Sequence, residues 1–238
     1  MSDGMYTSGA AMVARQVWQN AVSENLANTS TPGFKATRVF SDELKDIQSA
    51  ESIRDVEDKQ HIYTDFAQGM VESTGRDLDV AIEGSGFFAV ETPQGERYTR
   101  NGNFSLDPAG TLVDSSGAPV LSEAGPLTLT GNRIVIDATG EVFVDEQSVG
   151  RLAIKNFTST ASLVREGKSH FAPRPGANLE PAPASAHVRS KSLERSNVET
   201  MDEMVRMMTL MREYEASQRM VRLQSDALGR TVNELIQR

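Results

Sequence analysis

The chain has 238 residues, enough for one large domain or two small ones, and no cysteine, which excludes disulfides, thiolate metal sites and a cysteine nucleophile. Its net charge of -9 argues against nucleic acid, because phosphate binding needs clustered Lys and Arg that release counterions. Residues 36–110 carry seven basic and fifteen acidic groups, so the acidic excess is central and the near-neutral ends can approach other copies without strong repulsion.

The apolar run Gly9–Ala14 is cut by Arg15 and preceded by no basic residue, so it does not read as a secretory signal. No segment approaches the roughly 18 apolar residues of a membrane helix, and no membrane insertion is expected. Taken alone, this predicts a cytoplasmic chain. Ala10, Ala14, Val17 and Ala21 recur at helical spacing, with Val13, Trp18, Val22 and Leu26 widening the stripe, so residues 1–35 read as a helix and a turn. The turn is "NLANTSTPGFK", Asn25 to Lys35. It is elaborate for a helix stop: Asn28 and Thr31 offer side chains to open backbone groups, Pro32-Gly33 redirects the chain, and Phe34 follows at once.

Residues 36–74 read as an extended acidic connector. From about 75 to 165 the period changes to short β-prone runs punctuated by glycine, the signature of a small all-β domain. Asn101-Gly102 between "RYTR" and "NFSL" predicts a type I′ hairpin, "NRIVID" and "EVFVD" around Ala138-Thr139-Gly140 a second, and "RLAIKNF" a further strand. Residues 166–190, rich in Pro and Ala, read as an extended linker. All nine prolines lie between Pro32 and Pro183, leaving 191–238 free for a long helix with Asn197 as its N-cap. A heptad begun at Met204 places Met204, Met207, Met211, Tyr214, Gln218, Val221, Ser225, Leu228, Val232 and Leu235 on one seam. Such a helix is marginal alone and needs a partner for that seam. The expected fold class is α+β: N- and C-terminal helices paired as a coiled-coil-like layer around a central small all-β domain.

Candidate chemistry is thin. Gly167-Lys168-Ser169 resembles the end of a phosphate loop, but Ser162 stands where that loop requires glycine. Gly84-Ser85-Gly86 leads into the strand-like "FFAV" rather than a helix. Asp77, Asp79 and Glu83 read as an acidic edge facing water, and they lack the ligand pattern of a calcium loop. His61, His170 and His187 lie far apart in polar or linker contexts. No catalytic, cofactor or metal site and no small-molecule substrate is expected, and the chain does not read as an enzyme.

"NLANTSTPGFK" resembles the N-terminal signature of bacterial flagellar rod and hook proteins. "LERSNVETMDEMVRMMTLMREYEASQRMV", Leu193 to Val221, resembles their C-terminal signature, and "DLDVAIEGSGFFAVETPQGERYTRNGNFSLDPAGTLV", Asp77 to Val113, their middle module. Arg76 departs from the family's usual Asn before that module. The short middle region is most like the proximal rod member, the distal rod member being next. The resemblance implies a structural subunit of the periplasm-spanning rod of the basal body, transmitting torque for motility. It also implies export by the flagellar type III apparatus without a cleaved signal, so the cytoplasmic reading is set aside. The expected partners are copies of the chain itself, adjacent rod proteins and the export apparatus. The assembly residues expected on this basis are Asn25, Asn28, Thr31, Gly33, Phe34, Lys35, Met204, Met207, Met211, Tyr214, Val221 and Leu228. Proteolysis is expected to trim the free chain to a core near 36–185. A secreted adhesin that uses its helices only to oligomerise, and a cell-wall hydrolase, are the competing readings.

Overall fold

The computed structural model describes residues 2–41, 60–131, 133–174, 176, 181–182 and 186–236. Among them are two α-helices, α1 (Ser2–Ala27) and α2 (Thr200–Ile236), and nineteen short strands. The chain divides into two compact units. One comprises residues 1–27, 37–63 and 199–238, the other residues 28–36 and 64–198.

The second unit is built on the strand Phe87–Thr92. Its run of four buried residues is read by alternation: Phe88 and Val90 enter one hydrophobic cluster, Phe87 and Ala89 the other, so the strand feeds a core on each face. It lies in a six-stranded sheet in the order Leu163–Glu166, His170–Pro173, Gly95–Thr99, Phe87–Thr92, Ile154–Phe157, Pro181–Ala182. Phe66, Phe87, Phe157 and Phe171 meet in mostly edge-on contacts beneath one face. Residues 166–190, read as a linker, contribute the strands His170–Pro173 and Pro181–Ala182 to this sheet and the strand His187–Ser190, which pairs antiparallel with Val80–Glu83. Pro173 and Pro181 sit on short strands at or near the sheet edges, where a missing N–H is tolerated.

The hairpin around Ala138-Thr139-Gly140 is present, with Ile136 opposite Val142. The one expected at Asn101-Gly102 is not: the strand Ser105–Leu106 pairs instead with Leu112–Val113. Gly102 lacks the positive φ a type I′ turn requires. It is needed for another reason, since a Cβ there would lie 1.7 Å from the carbonyl oxygen of Val80. The tight turn with two left-handed residues falls instead at Asp145-Glu146, with φ of 49° and 70°, joining Glu141–Val144 to Gln147–Arg151.

In the first unit the strands Thr37–Ser41 and Gln60–Thr64 pair; the connector between them lies outside the described residues. The expected coiled-coil-like pairing of the terminal helices is not what the chain forms. The described residues are mostly short β-strands in small sheets, with only two helices. The seam assigned to α2 is not a buried stripe either, since Met204 and Met211 remain 43% and 46% exposed. Knobs-into-holes packing needs an apolar repeat sustained on both helices over several heptads. The seam of α2 is broken by Gln218 and Ser225, and three of the eight stripe positions of α1 are alanine, too short to fill the holes of a partner.

Candidate functional site

The corner after α1 is locked residue by residue. Asn25, buried at the end of α1, donates from Nδ2 to the carbonyl of Thr37 at 2.9 Å and accepts the Thr37 N–H on Oδ1 at 2.7 Å. One side-chain amide thus satisfies both backbone groups where the strand Thr37–Ser41 begins.

In the other unit the Thr31 N–H and hydroxyl donate to the carbonyl and Oδ1 of Asn28, closing a turn. Gly33 follows with φ +67°, and a Cβ on it would lie 2.4 Å from the backbone of Arg100 and Asn101, so both conformation and contact demand glycine. Its N–H donates to the carbonyl of Glu194 at 2.7 Å. Phe34 is fully buried, with the Arg165 guanidinium 4.3 Å over its ring; Arg165 Nη2 also donates to the carbonyl of Lys35.

Lys35 is the centre of the arrangement. Fully buried, its ammonium donates to Glu194 Oε1 at 2.5 Å and to the carbonyl of Ala67 at 2.8 Å. Glu194 reaches this point because the strand Ser192–Glu194 pairs antiparallel with Val71–Ser73. Its Oε1 also accepts the Gly69 N–H at 2.8 Å, and its Oε2 faces Arg100 Nη1 at 3.4 Å. Arg100 in turn donates from Nη2 to the carbonyl of Gly84 at 2.8 Å. Burial pushes both cations below their ordinary pKa, and Glu194 opposes the shift in each case. One carboxylate therefore holds two desolvated cations.

Asn197 completes the joint. The expected N-cap is not made, because α2 begins at Thr200 and the Asn197 amide is engaged elsewhere. Its Oδ1 accepts the Ala36 N–H at 2.7 Å and its Nδ2 donates to the carbonyls of Asp65 and Ala67. The segments flanking the two helices, 28–36 and 194–198, are thus bonded directly to each other inside one unit.

Along α2, Met207, Tyr214 and Val221 are partly buried, Met204 and Met211 exposed, and the side chain of Leu228 lies outside the described residues. The buried Arg100 and Glu194 and the half-buried Arg165 were not among the residues expected from sequence. For Arg100 and Glu194 the only signal there is position inside the family-like stretches "RNG" and "LERSN"; Arg165 lies outside every such stretch.

The decoys resolve into ordinary structure. Gly167 turns between the strands Leu163–Glu166 and His170–Pro173, with φ +70°. Asp77 pairs with Lys191, Glu83 with Arg189, and Asp79 is buried beside Thr74 and Arg76 rather than facing water, so the three carboxylates do not converge. His170 Nε2 lies 2.5 Å from Asp114 Oδ2.

Three family models match the chain: "Flagella basal body rod protein" over residues 5–35, "Flagellar hook protein FlgE/F/G D1 domain" over 81–144, and "Flagellar basal body rod FlgEFG protein C-terminal" over 189–235. Among similar proteins, the flagellar basal-body rod protein FlgG of Buchnera aphidicola subsp. Acyrthosiphon pisum is 31% identical, the match covering 93% of this chain and 95% of that one. FlgG of Borreliella burgdorferi is 30% identical over 96% and 97%. The basal-body rod protein FlgF of Caulobacter vibrioides is 29% identical over 93% of each chain.

Proposed function

The chain belongs to the family of flagellar basal-body rod proteins, and we propose that it serves there as the proximal rod member, building a torque-transmitting shaft through its terminal helices. It is a structural subunit of the rod and resides in the flagellar basal body. The observation that carries the assembly reading is the joint of Lys35, Glu194 and Asn197. It ties the two helix-flanking segments, 28–36 and 194–198, together within one unit.

The proximal assignment is supported by length. The match to FlgF of Caulobacter vibrioides runs over 230 aligned positions, whereas that to FlgG of Borreliella burgdorferi runs over 260, most of the added positions being residues this chain lacks. Copies of the chain and adjacent rod proteins are its neighbours, joined by heterologous contacts that build a tube instead of closing a ring. It reaches that place through the flagellar export apparatus, its terminal segments ordering on assembly.

The test is deletion in the source bacterium followed by isolation of basal bodies. Loss of motility, with the tagged chain recovered from the basal bodies of the complemented strain, is expected. Full motility of the deletion strain would sink the reading.

A further inference from the structure

The unit that holds the helices carries a groove of about 250 Å³ lined by Trp18, Ala21 and Val22 of α1, Val39 of the strand Thr37–Ser41, and Val205 and Leu210 of α2. Glu203 also lines it. That carboxylate is 2% exposed; Oε1 takes Arg38 at 3.1 Å and faces Arg206 at 3.5 Å, whereas Oε2 has no donor among the described residues. A buried oxygen without a donor is costly, and a donor brought by an occupant removes the cost.

The same unit presents the complementary surface. Met201, Met204, Met208 and Met211 follow one another at spacings of three, four and three, the repeat of a single helix face, and all four are more than two-fifths exposed. Flexible, polarizable methionines suit insertion into an irregular apolar slot. Arg212, one turn beyond Met208, supplies N–H donors beside that face. Groove and ridge are different surfaces of one unit, so joining them between copies gives a contact that repeats without closing.

Resting on the rod reading, we propose that the groove seats the methionine ridge of α2 from a second copy of this chain. The incoming side chain fills the slot between Ala21, Val39 and Leu210, and an arginine donor from the second copy satisfies Glu203.

The chain has no cysteine, so engineered ones report a single contact. Full-length Ala21→Cys and Met208→Cys variants, separately tagged, are expressed together in the deletion strain, treated with a short bismaleimide, and examined in isolated basal bodies. Val39→Cys serves as a second groove probe with a different folding risk. The expected result is a mixed dimer whose linked peptides join position 208 to position 21 or 39. It should fall at least tenfold when the Met208→Cys copy also carries Met204→Glu and Met211→Glu, both on the exposed face. Chain present in the basal bodies but linked only 208 to 208, linked to a different protein, or not linked at all overturns the proposal and leaves the rod assignment standing. Absence of even the unmodified chain from the basal bodies overturns the rod reading and the proposal together.

Discussion

At the scale of single residues the molecule depends on one carboxylate. Glu194→Gln would leave Lys35 and Arg100 charged, buried and without a counterion, and removing one partner of such a cluster costs about 3–5 kcal/mol. Lys35→Met keeps the packing of the stem and leaves Arg100 and Gly69 on Glu194, so its cost is on the order of 1–2 kcal/mol. Urea midpoints of the two variants check the order, and an equal loss in both would show that Glu194 is not the pivot. A second residue carries a pH dependence. Burial raises the Asp114 pKa, but the bonds from His170, from the Ser116 hydroxyl and from the Ala118 and Ser116 N–H groups outweigh it, so the carboxyl lies below its ordinary value. A depressed carboxyl stabilises the fold fully above its unfolded pKa, and that stability is lost as the pH falls through the folded value. Asp114→Asn is therefore expected to be less stable than the unaltered chain at pH 7, with the difference closing as the pH drops below about 4. Denaturation midpoints across that range measure it, and a constant difference refutes it. Lys35 was named from the sequence through the family resemblance, but the burial of none of these charges was legible there, because hydropathy assigns lone Lys, Arg, Asp and Glu to the surface. What was legible was Gly33, whose place after Pro32 marked a turn. Replacing it by Ala meets both the left-handed φ and the backbone of Arg100, a loss of roughly 2 kcal/mol or more in the same urea experiment.

At the scale of elements, periodicity located α2 and could not say which way its stripe points. The heptad begun at Met204 mixes two faces: Met207, Tyr214 and Val221 are partly covered, whereas Met204 and Met211 share the exposed face with Met201 and Met208. A stripe covered within the chain and one covered only in an assembly have the same spacing, and only the structure separates them. The Asn101-Gly102 hairpin fails for a related reason, since glycine can answer either a positive φ or a close contact, and here the carbonyl of Val80 requires it. The distinction has a measurable consequence in α2. Met211→Asp places its charge on a solvent-facing site of the free chain, so thermal unfolding should show a change within about 0.5 kcal/mol. The same charge would be desolvated once a neighbour covers that face, and incorporation into basal bodies should be lost. A strongly destabilised monomer, or normal incorporation, contradicts this reading of the helix.

At the scale of the whole molecule, the boundary between the two units does not fall where composition changes. Composition places it after the corner, near residue 36, and at the end of the proline-rich stretch, near 185. Hydrogen bonds place it elsewhere: the Gly33 N–H to the carbonyl of Glu194, Lys35 to Glu194, and Asn197 to Ala36 and Asp65 bind residues 28–36 and the start of the C-terminal signature, up to Val198, into the β-rich unit. Releasing residues 28–36 or 192–198 would expose Phe34 and strand the buried charges, so a protease should stop short of both. α2, in the other unit, carries an exposed apolar face. Limited proteolysis of the free full-length chain followed by intact-mass analysis is thus expected to give a resistant product that retains residues 28–36 and ends near Val198. If a nick falls between residues 37 and 63, the 28–36 peptide should stay bound to it without a covalent link. A stable product that begins after Lys35 or ends before Leu193 would mean that the Lys35–Glu194 joint does not hold in solution, and with it would go the direct tie between the two helix-flanking segments.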